Sequence, residues 1–274
     1  MYNLLKGKRG IIFGALDEKS MAWRIAERVV EEGAQITLSN TAMAIRFGKI
    51  NELGEKLNAE IIPADATSLE DLENVFKKSV EVLGGKIDFV LHSIGMSMNI
   101  RKKLEYPEVN YDFYHKTLDI SAISFHKIIQ TGYKLGAFNE GVSILALSYI
   151  AAQRIFDKYN DMADAKALLE SIGRGWGYYL GRELKGRVNV VSQSPTPTTA
   201  GSGVEGFDFF YKYSEKMSPL GNADINDLAD YCVTLFSDLT RKVTMQTLYH
   251  DGGFSSMGMS IDVMDAFVNG FDKE

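Results

Sequence analysis

The sequence is 274 residues long, with 45% hydrophobic and 24% charged residues, which is enough to bury one sizeable core. The formal net charge of -6 argues against nucleic acid as a general partner. Cys232 is the single cysteine, so no disulfide can form within the chain, and we expect a buried thiol there. We find no signal-peptide core and no apolar run near the ~18 residues that cross a membrane. We therefore expect one cytoplasmic domain over residues 1–274, with neither a membrane nor a nucleic-acid partner.

The N-terminal segment predicts a strand, a glycine turn and a helix. An apolar strand near 10–14 ends at Gly14, and from Ser20 the apolar residues recur with helical spacing as far as Gly33. Such a unit directs the amides and the positive dipole end of the helix toward the strand end, which suits a pyrophosphate. The usual G-x-G-x-x-G fingerprint of dinucleotide-binding proteins is absent. A phosphate site and a plain turn both stay open at this point.

Seven short apolar runs alternate with longer helical patterns along the chain. Because helices between successive strands are typical of a parallel sheet, we predict a single-domain α/β fold of the Rossmann type, a doubly wound seven-stranded parallel sheet with helices on both faces. In such a sheet the ligand lies beyond the carboxyl ends of the strands, where the strand order reverses. The predicted strands are 10–14, 34–39, 59–65, 87–93, 142–148, 187–193 and 246–251.

Polar residues and glycines at the predicted strand ends would converge on one crevice. Asp65 can accept a hydrogen bond from an adenine amino group, or it can simply cap a turn. Gly95 allows the backbone to approach a ribose, or it is an ordinary loop glycine. The residues at these ends are Gly14, Asp65-Ala66, His92-Ser93-Ile94-Gly95, Ser148-Tyr149 and the run from Ser192 to Thr198.

Tyr159 and Lys166 can place an acid and a cation on one helix face, because seven residues turn a helix through ~700° and raise it ~10.5 Å. The phenol can donate a hydrogen bond to a substrate oxygen that gains negative charge, and the ammonium can hold a cofactor hydroxyl. The alternative is a surface lysine beside a half-buried tyrosine. The residues upstream of this pair favour the first interpretation.

With these features the chain resembles the enoyl-[acyl-carrier-protein] reductases, a divergent branch of the short-chain dehydrogenase/reductase superfamily, from about Leu5 to Met259. Ordinary members of the superfamily have three residues between the tyrosine and the lysine, where this chain has six. The resemblance implies reduction of the trans-2 double bond of enoyl-acyl-carrier-protein thioesters by NADH, the last step of the elongation cycle in bacterial type II fatty-acid synthesis. It also implies a homotetramer. The motifs are the Gly14 to Ala22 turn, His92-Ser93-Ile94-Gly95, Asp119-Ile120-Ser121, Leu147-Ser148-Tyr149, Tyr159-x6-Lys166 and His250-Asp251-Gly252-Gly253-Phe254.

The resemblance also implies a role for individual residues. The catalytic set is Tyr159, Lys166 and Tyr149. The four histidines have no metal-ligand spacing, so no metal is implied. The implied substrate-binding residues are Ser97, Tyr149, Tyr159, Met162, Phe207 and Phe210. The implied cofactor-binding residues are Gly14, Ser20, Met21, Thr41, Asp65, Ala66, Ser93, Ile94, Gly95, Lys166, Thr196 and Thr198.

The choice between NADH and NADPH depends on the end of the second strand. This end carries Ser39, Asn40 and Thr41, with neither an acid for the ribose hydroxyls nor an Arg-Lys pair for a phosphate. Arg46 and Lys49 would reach a phosphate only if the loop folded back. We favour NADH and leave NADPH open.

Residues 198–217 combine small hinge residues with five aromatic residues within the stretch 207–213. We predict a substrate-binding lid, and the alternative is a packing or oligomer surface.

Two other functions also stay open for the protein: an ordinary short-chain dehydrogenase acting on a carbonyl or secondary alcohol, and a catalytically idle dinucleotide-binding regulator. The spacing of Tyr159 and Lys166 argues against the first. The retention of both residues together with Tyr149 argues against the second.

Overall fold

The computed structural model describes residues 2–199, 201 and 205–271. Within them lies one seven-stranded sheet in the order β3-β2-β1-β4-β5-β6-β7, and every strand pairing is parallel. This confirms the predicted doubly wound α/β fold. The strands are β1 Arg9–Phe13, β2 Gln35–Asn40, β3 Glu60–Pro63, β4 Ile87–His92, β5 Phe138–Ser148, β6 Arg187–Gln193 and β7 Thr247–His250.

Strand β5 begins at Phe138, four residues before the predicted start. Ile87 pairs with Phe138, and the register then shifts before Phe89 pairs with Ser143. The polar stretch between the two pairings includes Gly141, whose φ of 80° is left-handed. An irregularity of this kind interrupts the apolar run, and for that reason the sequence predicted only the second part of the strand.

Helices cover both faces of the sheet. Helix α4 begins after Ser68, whose hydroxyl accepts a hydrogen bond of 3.2 Å from the Asp71 amide. A π-helical turn, Asp119–Ile123, joins α6 to α7. None of the helices in the described residues is both long and apolar enough to cross a membrane. The helices are α1 Met21–Glu31, α2 Ala42–Phe47, α3 Ile50–Leu57, α4 Leu69–Val82, α5 Met98–Arg101, α6 Tyr111–Leu118, α7 Ser124–Lys134, α8 Asn160–Leu184, α9 Phe207–Met217, α10 Ile225–Phe236 and α11 Ile261–Phe271.

The two faces of the sheet carry separate apolar cores. Ile12 of β1 packs in the core that α1, α3 and α10 cover, whereas Ile11 and Phe13 pack in the core under α4, α7 and α8. Successive side chains of a strand point to opposite faces, so one apolar strand contributes to both cores. Cys232 lies in the first core with a fully buried side chain, as predicted.

The strand order reverses between β1 and β4, which both run parallel to each other and end side by side. Just beyond this end the Gly14 amide bonds to the Ser39 carbonyl at 3.1 Å, and the Ser93 amide bonds to the Phe13 carbonyl at 3.2 Å. The turns that follow β1 and β4 are therefore bonded to the ends of their neighbouring strands, β2 and β1, at one edge of the sheet. This edge is where a doubly wound sheet binds its ligand.

Candidate active site

Gly14 forms the turn between β1 and α1. Its φ is 98°, and a Cβ atom at this position would lie 2.0 Å from the Ser93 carbonyl oxygen. Any side chain here would force the turn after β1 away from the end of β4. The glycine thus permits a close approach of two backbone segments at the crevice.

The N-terminus of α1 faces this turn without a capping side chain and without an acidic residue in its first turn. The Ser20 hydroxyl instead accepts a hydrogen bond from the Leu16 amide at 3.1 Å and donates one to the Asp17 carbonyl at 2.7 Å. Ser20 thereby folds the loop, and Met21 begins the helix. Helix amides that no side chain caps suit an anionic group such as a pyrophosphate.

Asp65 and Thr41 have local roles in the structure. One Asp65 carboxylate oxygen accepts hydrogen bonds from the Thr67 amide at 2.8 Å and the Thr67 hydroxyl at 2.7 Å. The Thr41 hydroxyl accepts a bond of 3.2 Å from the Ala44 amide and so caps α2. Ala66 is buried behind the Asp65 turn. Asp65 therefore stabilises a turn, as the alternative interpretation expected, and Thr41 caps a helix; contacts of these residues with a cofactor stay predictions.

The loop after β6 reaches across to the turn after β1. Thr196 and Thr198 are both buried, and the Thr198 hydroxyl accepts a bond of 2.9 Å from the Gly201 amide. The Thr199 hydroxyl donates to the Asp17 carboxylate at 2.7 Å. These contacts place the predicted threonines beside the first glycine turn, at the same edge of the sheet.

Lys166 lies within α8 and points to the end of β5. Its ammonium donates a hydrogen bond of 2.8 Å to the Leu147 carbonyl oxygen. A Cβ atom at Gly95 would lie 3.8 Å from this Nζ atom and 3.8 Å from the Met162 methyl carbon. Since Ile94 and Ser93 precede Gly95, the turn after β4, the lysine and the predicted substrate residue Met162 lie together. An ammonium has three donors, so two remain for other acceptors.

Tyr159 does not belong to the helix that carries Lys166. Helix α8 begins at Asn160, whose φ of 47° is left-handed, and Tyr159 is the residue before it. The prediction that both side chains lie along one regular helix face is wrong for this reason. Tyr159 instead approaches Tyr149, with their ring centroids 5.2 Å apart.

Both tyrosines keep their hydroxyl groups available. Within residues 2–199, 201 and 205–271, no hydrogen bond engages the hydroxyl of Tyr149 or Tyr159. Burial raises the pKa of both phenols, so they stay protonated at neutral pH. Burial also lowers the pKa of Lys166 to about 8, against the opposing charge of Glu170. The end of β5 therefore carries two neutral donors, Tyr149 and its neighbour Tyr159, and is bonded at Leu147 by an ammonium that begins to lose its proton just above neutral pH.

An aromatic cluster connects these tyrosines to α9. The Phe156 ring lies 5.1 Å from that of Tyr149, 5.9 Å from that of Phe210 and 6.1 Å from that of Phe254. Phe210 is thus brought to the tyrosines, as a substrate residue would be. Phe207 is turned toward the loop after β6, 3.4 Å from a Cβ atom placed at Gly201.

Two members of this cluster had no role in the sequence-based prediction. Phe156 comes three residues before Tyr159, and Phe254 ends the His250 to Phe254 motif. The motif was a usable signal for Phe254. For Phe156 the sequence offers only its closeness to Tyr159.

Ser97 forms a structural hydrogen bond between the segment after β4 and helix α8. Its hydroxyl donates a bond of 2.6 Å to Asp161, and the Asn99 side chain donates a bond of 2.7 Å to the other oxygen of the same carboxylate. All three side chains are buried. The bonds fix the segment after β4 against the start of α8, and a contact between Ser97 and substrate stays a prediction.

The arrangement contains no candidate metal centre within the described residues. His92 ends β4 fully buried, with its Nε2 atom 2.8 Å from the Ser124 hydroxyl. Burial lowers the pKa of this ring to about 3, so it stays neutral. Taken with the uncapped helix and the paired tyrosines, the geometry is that of a nicotinamide-dependent oxidoreductase of the short-chain dehydrogenase/reductase class.

Comparison with known proteins identifies the family within this class of oxidoreductases. A family model described as "Enoyl-(Acyl carrier protein) reductase" matches residues 14–255. The chain is 34% identical to "Enoyl-[acyl-carrier-protein] reductase [NADH] 1" of Rhizobium meliloti (strain 1021), over 97% of this chain and 97% of that protein. It is 30% identical to "Enoyl-[acyl-carrier-protein] reductase [NADH] FabI" of Aquifex aeolicus (strain VF5), over 93% and 94% of the two chains.

Among solved structures, the FabI-NADH complex from Alistipes finegoldii has a TM-score of 0.95 and 66% sequence identity, covering 96% of this chain and 93% of that one. The enzyme from Aquifex aeolicus VF5 has a TM-score of 0.86 at 28% identity, covering 93% and 99%. The chain belongs to the enoyl-(acyl carrier protein) reductase family. The family resemblance deduced from the motifs is confirmed.

Proposed function

We infer that the protein reduces the trans-2 double bond of enoyl-acyl-carrier-protein thioesters with NADH, as the last step of the fatty-acid elongation cycle. Membership of the family and likeness to a FabI-NADH complex support this. The observation that carries the inference is the pair Tyr149 and Tyr159, whose hydroxyls are available at the end of the strand that Lys166 bonds at Leu147. The acyl carrier protein is accordingly the partner that delivers the substrate.

The tyrosines would act on the thioester oxygen. NADH supplies the hydride, which adds to the β-carbon of the enoyl group and shifts charge onto the thioester oxygen. Tyr159 donates a hydrogen bond to this oxygen as it becomes negative, so the bond strengthens along the reaction. Tyr149 lines the acyl site beside it. A raised phenol pKa suits this role because the donor must remain protonated.

Lys166 would hold the ribose that carries the nicotinamide. One of its three donors already bonds to the Leu147 carbonyl, which fixes the direction of the side chain. The other two can reach the ribose hydroxyls, and the positive charge favours the developing anion. At the far end of the cofactor, Gly14, Ser20 and Met21 fit the pyrophosphate, because α1 presents its amides there.

Two contacts support NADH over NADPH. The Lys49 ammonium pairs with the Glu18 carboxylate at 3.1 Å, and the Arg46 guanidinium lies over the Phe47 ring at 5.3 Å. Both cations that sequence analysis considered for a ribose phosphate are therefore directed elsewhere. The relatives named above as NADH enzymes agree with this preference.

Residues 198–217 would form the substrate-binding lid. Phe210 of α9 contacts the aromatic cluster that includes Tyr149, so movement of α9 would open or cover the tyrosines. Lys103, in the segment after β4, also pairs with Glu205, just before α9, at 3.5 Å. The proposed hinge residues Ala200, Ser202 and Gly203 lie outside the described residues, while Gly201 and α9 lie within them.

We also propose that the protein forms a homotetramer in the cytoplasm. A groove between α7 and α8 carries aromatic side chains at its surface, which favours burial against another copy. Light scattering after gel filtration tests this, and Tyr179→Glu should reduce the mass of the particle, whereas Tyr111→Glu on α6 should not. A monomer for the unmodified protein would contradict the proposal. The groove is lined by His126, Gln130, Tyr133, Ile172, Gly175, Trp176, Tyr179 and Glu183.

The main function is tested by following nicotinamide absorbance with a crotonyl thioester of acyl carrier protein. Oxidation of NADH that requires the enoyl thioester is expected, with slower oxidation of NADPH. A panel of ketones and secondary alcohols should give no turnover. The family comparisons favour neither a carbonyl dehydrogenase nor an idle regulator, and turnover of ketones without turnover of enoyl thioesters would reverse the assignment.

A further inference from the structure

Glu170 is a buried carboxylate of α8 that the chemistry above does not use. It lies one helical turn after Lys166 and is 4% exposed. One of its oxygens accepts a hydrogen bond of 2.8 Å from the Ser148 hydroxyl, and the other accepts one of 3.0 Å from the Gln153 amide nitrogen. A buried carboxylate is costly unless such donors satisfy it. Both oxygens are satisfied by residues close to Tyr149 in the chain.

The two hydrogen-bond donors to Glu170 precede and follow Tyr149 in the sequence, so their bonds restrain the backbone on both sides of it. Ser148 comes directly before it, and Gln153 ends the short 3₁₀ turn that follows it, Ile150–Ala152. Gln153 also accepts a hydrogen bond from the Tyr249 hydroxyl on β7. Helix α8 therefore bonds to the end of β5 at two successive residues, to Leu147 through Lys166 and to Ser148 through Glu170.

The charge of Glu170 also acts on Lys166. It opposes the effect of burial, which lowers the lysine pKa to about 8. Lys166 also acts on His92 of β4, whose ring stays neutral. Glu170 also acts on Tyr249 of β7, which in turn is near Arg154 and the buried Asp251. The two active-site tyrosines are neutral as well. Glu170 is thus the acidic group that favours the charged form of this lysine.

We propose that Glu170 is a positioning residue of the active site: it orients Tyr149 through Ser148 and Gln153, and it favours the ammonium form of Lys166. The inference deepens the proposed function and rests on it. In this role Glu170 touches neither substrate nor cofactor. It sets the direction of one donor and the charge of the neighbouring cation.

Glu170→Gln tests both parts, because it removes the charge and keeps the size of the side chain. In the free protein, the pKa of Lys166 should fall below its value near 8. Trace acetylation across a pH series, quantified by mass spectrometry on the peptide that carries Lys166, measures this without cofactor or substrate. At pH 7 the kcat with crotonyl-acyl-carrier protein should fall about tenfold, while Glu73→Gln, the same change in an exposed pair with Lys77, should alter neither quantity.

Glu170→Asp separates the two parts. It keeps the charge and withdraws the carboxylate by one methylene, so kcat should fall while the lysine pKa stays near 8. A folded Glu170→Gln protein with the original Lys166 pKa and the original kcat would overturn the proposal. If Glu170→Gln fails to fold, Gln153→Ala replaces it: a lower kcat with an unchanged lysine pKa supports the positioning role, and an unchanged kcat overturns it. Because acetylation is measured on the free protein, its result stands apart from any failure of the proposed reaction.

Discussion

Replacing Tyr159 with Phe removes one hydroxyl from the candidate active site and little else. The phenylalanine ring can keep the 5.2 Å contact with Tyr149. No hydrogen bond within the described residues involves the Tyr159 hydroxyl, so the change leaves no partner unsatisfied. The free energy of unfolding should therefore change by less than about 0.5 kcal/mol.

The effect on turnover should be much larger. A donor to a developing oxyanion contributes about 2 to 4 kcal/mol to the stability of the transition state. Since each 1.36 kcal/mol is tenfold in rate, this corresponds to a loss of about 30- to 1,000-fold in kcat. The affinity for NADH should stay nearly unchanged, because the hydroxyl is assigned to the thioester oxygen and not to the cofactor.

The assay is initial-rate oxidation of NADH with an enoyl-acyl-carrier-protein substrate, together with calorimetry of NADH binding. Tyr111→Phe is a matched control, since Tyr111 is 71% exposed on α6, and it should retain full turnover. Tyr149→Phe should cause a smaller loss than Tyr159→Phe. Unaltered turnover in Tyr159→Phe, or a larger loss in Tyr149→Phe, would refute the assignment of the catalytic donor.

Three further outcomes are expected. Lys166→Ala should weaken NADH binding in calorimetry as well as lower turnover, because the ammonium is assigned to the ribose hydroxyls; wild-type affinity in this variant would remove that role. The NADH affinity of the unmodified protein should be steady below pH 7 and decline as the pH rises through about 8, because Lys166 is charged below its pKa and neutral above it. An affinity that stays constant up to pH 10 would contradict this. Amides of 205–217 should exchange hydrogen faster in the free protein than with NADH and an acyl ligand bound, whereas strong and equal protection in both states would indicate a fixed packing element.

The sequence predicted the central strands β1, β4 and β6 well because they are buried on both faces. The prediction of 187–193 matches β6 without error, and every residue of that strand is buried. The start of β5 was missed because Asn139, Glu140 and Gly141 break the apolar run, although the backbone from Phe138 already pairs with β4. Apolar periodicity reports burial, and it cannot report a strand whose first residues reach the surface.

The place of the candidate site was predicted from the convergence of strand ends, which depends on topology, and the roles of its residues came from the family resemblance. The roles of single side chains were harder to predict, because their partners are distant in sequence. Glu170 bonds to Ser148 and Gln153, and Phe156 contacts Phe254. Both sets of contacts form only when β5, α8 and the loop after β7 pack together in the folded protein. The spacing of residues in the sequence predicts contacts within one helix or strand, but it does not predict contacts between elements.

The helix-face geometry predicted for Tyr159 and Lys166 differs from the observed one, and their shared catalytic role stays a prediction. The spacing of Tyr159 from Lys166 suggested a shared helix, but α8 begins only at Asn160, whose backbone is left-handed, so Tyr159 lies outside that helix. Asparagine tolerates this conformation better than most residues, and its side chain is fixed by a bond of 2.6 Å to the Leu104 carbonyl and one of 2.6 Å from the Asp161 amide. Because one of those partners lies in the segment after β4, the conformation of Asn160 depends on tertiary structure. Tyr159 therefore lies before the helix that carries Lys166, and its ring packs on Tyr149, so the donor is positioned by the strand end and the cation by the helix.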